Sequence, residues 1–195
     1  MKKTYNITNE YPIIVNEYPF HKQLKEELVP LLENHPDEMD KTSNVKATMT
    51  NYFWGLQNKS KRLQRLKECI VEEVRTAKIY TDWIEDVRDG KYTPSLFFKD
   101  FWANIYHKGD HTISHHHKDF MMGFSFAYFL KSKWYHPSFV FTHSRKKIKP
   151  KEGTYVIFPN HINHHVPKNK FKETRITLSG NIVAVFNKEY LERRL

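Results

Sequence analysis

His117-Lys118-Asp119 places a histidine and a carboxylate two residues apart, and His164 and Arg175 follow later in the chain. Residues spaced by two can point to the same side of an extended strand end. A later histidine can then close a three-point ligand face. Two neutral imidazoles and one carboxylate on one face of an octahedron hold a divalent metal and leave three positions open. A guanidinium on a neighbouring strand matches a carboxylate as a two-pronged donor. Arg175 can therefore grip one end of a dicarboxylate whose other end chelates the metal. An arginine turned into a barrel needs such an anion, because an unpaired buried charge is costly. The plainer alternative is a strand arginine paired with a protein carboxylate or facing solvent.

Ten of the twelve histidines fall between His107 and His165. The tract His115-His116-His117 alone reads equally well as a polar surface loop. Asp119 changes that weighting, since only His117 has a carboxylate two positions on. His115 shares its side by period-2 alternation, so His115, His117 and His164 form a competing ligand set. In the second cluster, Phe158-Pro159-Asn160-His161-Ile162-Asn163-His164-His165, a strand ends and a turn presents histidines. His164 and His165 face opposite ways if the chain is extended, so one of them ligates. His161 and His165 read as surface or supporting residues. On the strand after the turn, Arg175, Thr177 and Ser179 alternate onto one polar face.

These residues need a β scaffold, and the second half of the chain supplies one. Leu96 to Tyr106, Phe124 to Leu130, Phe139 to Thr142, Gly153 to Phe158 and Arg175 to Phe186 read as strands. Turn signals separate them at Lys108-Gly109-Asp110, His136-Pro137-Ser138 and Pro150 to Gly153. Such spacing predicts a sandwich or jelly-roll barrel with helices on one side. The first half reads mostly helical. Pro19 opens a helix carrying Leu24, Leu28, Leu31 and Leu32, interrupted by Pro30. Asn34-His35-Pro36-Asp37 is a turn signal. Ser60 caps a stronger helix with Leu63, Leu66, Ile70, Val74 and Ala77 on one face. Val45 to Trp54 reads as a strand or an extended arm. The expected organisation is one domain over 1–195. Residues 1–94 form a mainly helical support, 95–187 the jelly-roll core and 188–195 a tail.

Composition narrows the function classes. At 195 residues the chain supports one well-buried core. Its single cysteine, Cys69, excludes an intramolecular disulfide and argues for a reducing, cytoplasmic setting. Neither a signal peptide nor an 18-residue apolar stretch is legible, so no membrane partner is expected. The net charge of +10 favours an acidic ligand or partner. It does not establish nucleic-acid binding, because the lysines are scattered; the densest basic run, Arg145 to Lys149, reads as a solvated loop.

The chain resembles the Fe(II)/2-oxoglutarate-dependent oxygenases, within them a small bacterial and phage branch related to prolyl hydroxylases. The resemblance rests on Trp102-Ala103-Asn104-Ile105-Tyr106, Gly109-Asp110, His117-Lys118-Asp119 and Ser125 to Leu130. It continues through Gly153 to Pro159, His164 and Arg175 to Asn181. Asn44 to Thr50 is similar to an N-terminal motif of phage members. The resemblance implies an α+β chain whose core is a double-stranded β-helix, a cupin-like jelly-roll barrel. It implies Fe(II) on His117, Asp119 and His164, and 2-oxoglutarate and O2 as co-substrates. Arg175 would hold the distal carboxylate of 2-oxoglutarate, with Thr177 and Tyr128 hydrogen-bonded to it and Asn104 and Tyr106 as pocket residues. The stretch Gly109 to His117 is longer than usual in the family, which keeps His115 open as a ligand. The activity implied is hydroxylation of an unidentified substrate, acidic or peptidic, with release of succinate and CO2. An aromatic pocket from Trp102, Phe124 and Trp134 would suit several substrates. The rival readings are a cupin-like metalloprotein that does not use 2-oxoglutarate and a non-catalytic module binding acidic partners.

Overall fold

The structure is a computed structural model, and it describes residues 3–6, 12–34, 43–52, 60–77, 95–117 and 123–185. The elements run β1 (Lys3–Asn6), β2 (Pro12–Glu17), α1 (His21–Glu33), β3 (Val45–Lys46), β4 (Thr48–Met49) and α2 (Lys61–Arg75). There follow β5 (Ser95–Tyr106), β6 (His111–His115), β7 (Gly123–Lys131), β8 (Phe139–Phe141), β9 (Lys147–Ile148), β10 (Thr154–Pro159), β11 (His164–Val166) and β12 (Arg175–Val185).

The strands form two antiparallel sheets. The larger has the order β1-β2-β10-β7-β12-β5-β4, and the smaller β3-β6-β11-β8-β9. The expected jelly roll is thus present, with both helices packed on the outside of the larger sheet. The N-terminal half is less purely helical than its composition predicts. Its β2 pairs with β10, and β1 extends the same sheet by pairing with β2.

Period-2 alternation explains why the larger sheet has two different faces. One set, including Phe101, Ala103, Ile105, Tyr128, Leu130, Ile157, Ile176 and Leu178, packs outward against the helices. The partners on the helices are Leu24, Leu28 and Leu32 of α1 and Leu63, Leu66, Ile70 and Val74 of α2. The intervening set, including Tyr106, Ala127, Phe129, Val156 and Phe158, turns inward against Phe139, Phe141 and Val166 of the smaller sheet.

Local chemistry accounts for the helices. Ser60 caps α2, its hydroxyl accepting from the Leu63 N–H at 3.1 Å, as the sequence suggests. In α1 the apolar stripe narrows to Leu24, Leu28 and Leu32, while Leu31 is 43% exposed. Pro30 lies inside α1 near its end, and Asn34 donates from its side chain to the Pro30 carbonyl. Of the strand expected over Val45 to Trp54, the described part, which ends at Tyr52, holds two short pieces, β3 and β4, one in each sheet. The turn signal from His35 to Asp37 and the tail 188–195 lie outside the described residues.

The strand that carries the arginine is held close to its neighbours. A Cβ at Gly180 would sit 2.6 Å from the Asp100 carbonyl oxygen and 2.8 Å from the Phe126 ring. Only glycine lets β12 lie this near β5 and β7. Immediately after it the register of β12 with β5 breaks between Asn181 and Ile182, where Asp100 accepts from the Asn181 backbone and side-chain N–H groups at 3.0 and 2.7 Å.

Candidate active site

The smaller sheet brings the imidazoles together. β11 pairs antiparallel with β6, and His164 lies directly opposite His115. His117 is two residues beyond His115, on the same side, and its backbone N–H donates to the Asn160 carbonyl at 2.8 Å. One ring nitrogen from each of His115, His117 and His164 lies within 4.8 Å of the other two, an arrangement that can hold a metal ion. The ring centroids are 4.4 Å apart for His115 and His164, 4.9 Å for His115 and His117, and 5.4 Å for His117 and His164. Phe139 stacks on the His164 ring at 5.2 Å and fixes its plane. His165 turns the other way and meets Thr142, as alternation predicts.

Burial makes these rings neutral. It lowers all three pKa values, and the neighbouring imidazoles add to the effect. His117 is brought down to about 3 and His164 well below the ordinary histidine value. A neutral imidazole is the form that ligates a metal. Asp119, expected beside His117, lies outside the described residues.

The larger sheet supplies the other half. Arg175 is directly opposite Tyr106, Thr177 opposite Asn104 and Ser179 opposite Trp102. All six therefore share the inner face. Arg175 is fully buried. Its guanidinium lies over the Tyr106 and Phe129 rings, at 5.3 and 5.4 Å, and donates from Nη1 to the Pro137 carbonyl at 2.7 Å. Its Nε and Nη2 are buried without a protein partner. Burial lowers its pKa to about 10, so it stays cationic at neutral pH.

More unpartnered polar atoms face the same space. They are the Thr177 hydroxyl, the Asn104 Oδ1 and the Trp102 indole N–H. Asn104 donates from Nδ2 to the Ser179 hydroxyl, and the Tyr106 and Thr112 hydroxyls are 2.7 Å apart. His115, His117, His164, Trp102, Asn104, Tyr106 and Thr177 line one cavity between the sheets. Buried polar groups are ordinarily paired. The unpaired donors of Arg175, Thr177 and Trp102, near neutral imidazoles, fit an anion that chelates a metal.

The structure separates one expected residue from this group. Tyr128 points to the opposite face, where its hydroxyl meets His21 Nδ1 at 2.7 Å and its ring meets Tyr18. The reason is parity: Ala127 and Phe129 on β7 face inward, so Tyr128 between them faces the helices. The expected aromatic pocket also dissolves. Trp102 lines the cavity, but Trp134 is 82% exposed on a turn and Phe124 packs on the helical side. Two partners were not foreseen in the sequence. The Pro137 carbonyl anchors Arg175 and carries no signal in residue type, whereas Ser179, which holds Asn104, is on the polar face that alternation marks.

Residues 136–181 match the family model described as "Putative 2OG-Fe(II) oxygenase". That stretch holds β8 to β11 and most of β12, with His164 and Arg175, and is under a quarter of the chain. No curated protein matches the sequence significantly. Among solved structures, a Pseudomonas putida prolyl-4-hydroxylase is similar with a TM-score of 0.61 at 11% identity, over 90% of this chain and 92% of that one. A Trichoplax adhaerens prolyl hydroxylase, solved with a hypoxia inducible factor peptide fragment, gives 0.62 at 13% identity, over 96% and 88%. HygX from Streptomyces hygroscopicus, solved with nickel and 2-oxoglutarate bound, gives 0.61 at 10% identity, over 89% and 83%. At such identities the likeness is one of fold. Through the sequence of its C-terminal strands and through a fold shared over most of its length, the chain is similar to the 2OG-Fe(II) oxygenases.

Proposed function

We propose that the protein is a 2OG-Fe(II) oxygenase that hydroxylates its substrate. The observation that carries this reading is Arg175: a fully buried guanidinium with two unpartnered nitrogens, beside the cavity that the imidazoles line. A buried cation without a partner is unfavourable on its own, and a carboxylate ligand would supply the missing acceptor.

Each residue has a role in this reading. His117 and His164, with Asp119 as the carboxylate, hold Fe(II). Arg175 donates from Nε and Nη2 to the distal carboxylate of 2-oxoglutarate, while its bond to the Pro137 carbonyl keeps the fork in place. Thr177 offers its hydroxyl to the bound acid, while Asn104, whose Nδ2 donates to Ser179, lines the pocket beside it. Tyr106 and Phe129 wall the guanidinium and keep water from it. With Fe(II), 2-oxoglutarate and O2 bound, oxidative decarboxylation to succinate and CO2 supplies the oxidising power for hydroxylation. The protein's own part is orientation, dryness and open coordination positions.

The net charge of +10 favours an acidic substrate, and the prolyl hydroxylases among the similar structures make a peptide the first class to try. One observation favours a second reading. The clustered ligands among the described residues are three imidazoles, which suits a cupin-like metalloprotein indifferent to 2-oxoglutarate. Anaerobic calorimetry of Co(II)-loaded protein with 2-oxoglutarate separates the two. Stoichiometric binding, with Fe(II)-dependent succinate formation in air that is lost in His164→Ala, is expected for the oxygenase. Metal-loaded protein that takes up no 2-oxoglutarate would overturn it.

A further inference from the structure

We propose that the loop face at the Arg175 end of the barrel binds single-stranded nucleic acid, with Trp134 as a stacking platform for a base and Lys133, Lys168, Lys170 and Lys172 on the phosphates. This surface is distinct from the metal centre, and its function does not depend on the oxygenase reading.

Three loops meet at this face: 107–110, 132–138 and 167–174. They close the end of the barrel away from the imidazoles. β6 leaves the first loop at His111 and reaches His115 only at its far end, and β11 runs from His164 toward the third loop. Asn169 ties the first loop to the third. Its backbone carbonyl accepts from the Gly109 N–H at 2.6 Å, and its N–H donates to the Asp110 carbonyl at 2.8 Å. Its Nδ2 donates to the carbonyls of Tyr106 and Glu173 at 3.3 and 3.2 Å. With Asn169 buried in this way, Lys168 and Lys170 on either side of it are exposed. The second loop is closed from both directions. The Lys133 N–H donates to His136 Nδ1 at 3.1 Å, and the His136 N–H donates to the Lys133 carbonyl at 3.0 Å. This turn carries Trp134 at its tip, almost wholly in solvent. Tyr135 packs on Phe171 of the third loop with ring centroids 4.5 Å apart, and Trp134 meets Tyr135 edge-on at 5.6 Å. Rings from two loops thus form one aromatic strip between lysines.

Charge and shape select the occupant. The four lysines are exposed and form no ion pair among the described residues. The one acidic residue in the second and third loops is Glu173. Lysines on separate loops look scattered in the sequence, and the fold gathers them into a surface that suits a polyanion. The bare indole chooses among polyanions. A nucleobase has a flat face to lay on it, and an acidic peptide has none. In a duplex the bases are already stacked on one another, so a single strand fits better. A membrane surface would call for more than one fully exposed apolar ring. A second copy of this chain would set the same lysines against each other.

Fluorescence anisotropy of a labelled oligothymidylate of about 20 nucleotides, titrated with the full chain in about 50 mM salt, tests the proposal. The parent should bind it, equally with and without Co(II). Trp134→Ala should weaken binding roughly five- to 150-fold, the worth of one stacked base. The triple variant Lys168→Gln, Lys170→Gln, Lys172→Gln should flatten the slope of log affinity against log salt by about 2, at roughly 0.7 per phosphate contact. The control triple variant Arg145→Gln, Lys147→Gln, Lys149→Gln removes the same formal charge from the β8–β9 edge and should cost roughly tenfold less affinity. No binding by the parent, equal losses in the two triple variants, or a Trp134→Ala protein that binds as the parent does would overturn the proposal. Polyglutamate or phosphatidylserine vesicles that displace the oligonucleotide at matched charge would also overturn it, as would a dimer of the parent that Trp134→Ala dissociates. A protein that binds the oligonucleotide and ignores 2-oxoglutarate would sustain this inference and sink the oxygenase reading, so the two failures are distinct.

Discussion

Arg175→Lys tests the carboxylate clamp most directly. The side chain is fully buried between Tyr106 and Phe129, with Nη1 committed to the Pro137 carbonyl. Two nitrogens of the planar fork, Nε and Nη2, remain for a ligand. An ammonium keeps the charge but cannot hold the Pro137 carbonyl and present two parallel donors as well. The loss is one charge-assisted hydrogen bond to a carboxylate, about 1.5–3 kcal/mol. That is roughly a ten- to hundredfold weaker affinity for 2-oxoglutarate, at 1.4 kcal/mol per factor of ten.

Arg175→Met sharpens the same argument through stability. It leaves the Pro137 carbonyl unpaired, which costs about 1–3 kcal/mol, but it also removes a buried charge that the protein leaves largely unpaired. The two effects oppose, so the ligand-free protein should be about as stable as the parent. The ligand response should differ. Saturation at a hundred times Kd stabilises the parent by about 2.7 kcal/mol, a rise of roughly 5–11 °C in thermal midpoint for a chain of this size. Arg175→Met should show none of that rise. Calorimetry and thermal melts of Co(II)-loaded protein under argon measure both. A Lys variant that binds 2-oxoglutarate as the parent does, or a Met variant that keeps the thermal rise, would refute the clamp. Metal binding should survive both substitutions.

Thr177→Val removes a hydroxyl that has no protein partner, so the fold should tolerate it while 2-oxoglutarate binds roughly two- to tenfold more weakly, read by the same titration. Leu66→Asp places an unpaired charge where α2 meets the sheet at a fully buried position; a loss of about 4 kcal/mol or more, or no folded protein, is expected from denaturant melts, and an unchanged midpoint would contradict the packing. Acid should destabilise the metal-free protein. Burial lowers the pKa of His21 and His136, so the unfolded chain takes up their protons first, at the ordinary value near 6.5. Their stabilisation is complete above that pH and is lost as the pH falls toward their folded values, by up to about 1.4 kcal/mol per pH unit for each proton. Melts between pH 7.5 and 5 check this, and a flat midpoint would show that neither ring resists protonation.

The legible parts of this chain are those whose signal is local. Leu63, Leu66, Ile70 and Val74 behind Ser60 announce a capped helix, and apolar runs announce β5, β7, β10 and β12. The elements that escaped have two or three residues or find their partner far away. Lys147–Ile148 and His164–Val166 are too short for any period to show, and β2 is a strand because β10 lies beside it. The same limit governs the site. His117, His164 and Arg175 stand out by residue type and spacing; the two histidines line one cavity, and Arg175 lies buried on the strand whose Thr177 and Ser179 line it. Tyr128 is chemically suited to a carboxylate, yet one step of parity sends it to His21. Parity can be read only against neighbours whose direction is known, and an apolar strand buried on both faces gives no such mark. The choice between His115 and Asp119 turns on geometry for the same reason, because each lies two residues from His117.

The two faces of the larger sheet divide the work of stability and function. Its outer face is sealed by Leu24, Leu28, Leu63, Leu66, Ile70 and Val74, which pack on alternate residues of β5, β7, β10 and β12. The residues between them on β5 and β12 are Trp102, Asn104, Tyr106, Arg175 and Thr177, and four of these five leave a buried nitrogen or oxygen unpaired. Each such atom costs about 1–3 kcal/mol in the ligand-free protein. That cost is tolerable because removing water from the apolar outer face contributes at roughly 25 cal/mol per Å². A ligand that pairs the inner atoms recovers it on binding. Arg175 and Tyr106 lie on the larger sheet and the imidazoles on the smaller one, so such a ligand must bridge both. The packing of the two sheets, and behind it the helical layer, thus sets the distance between metal and clamp.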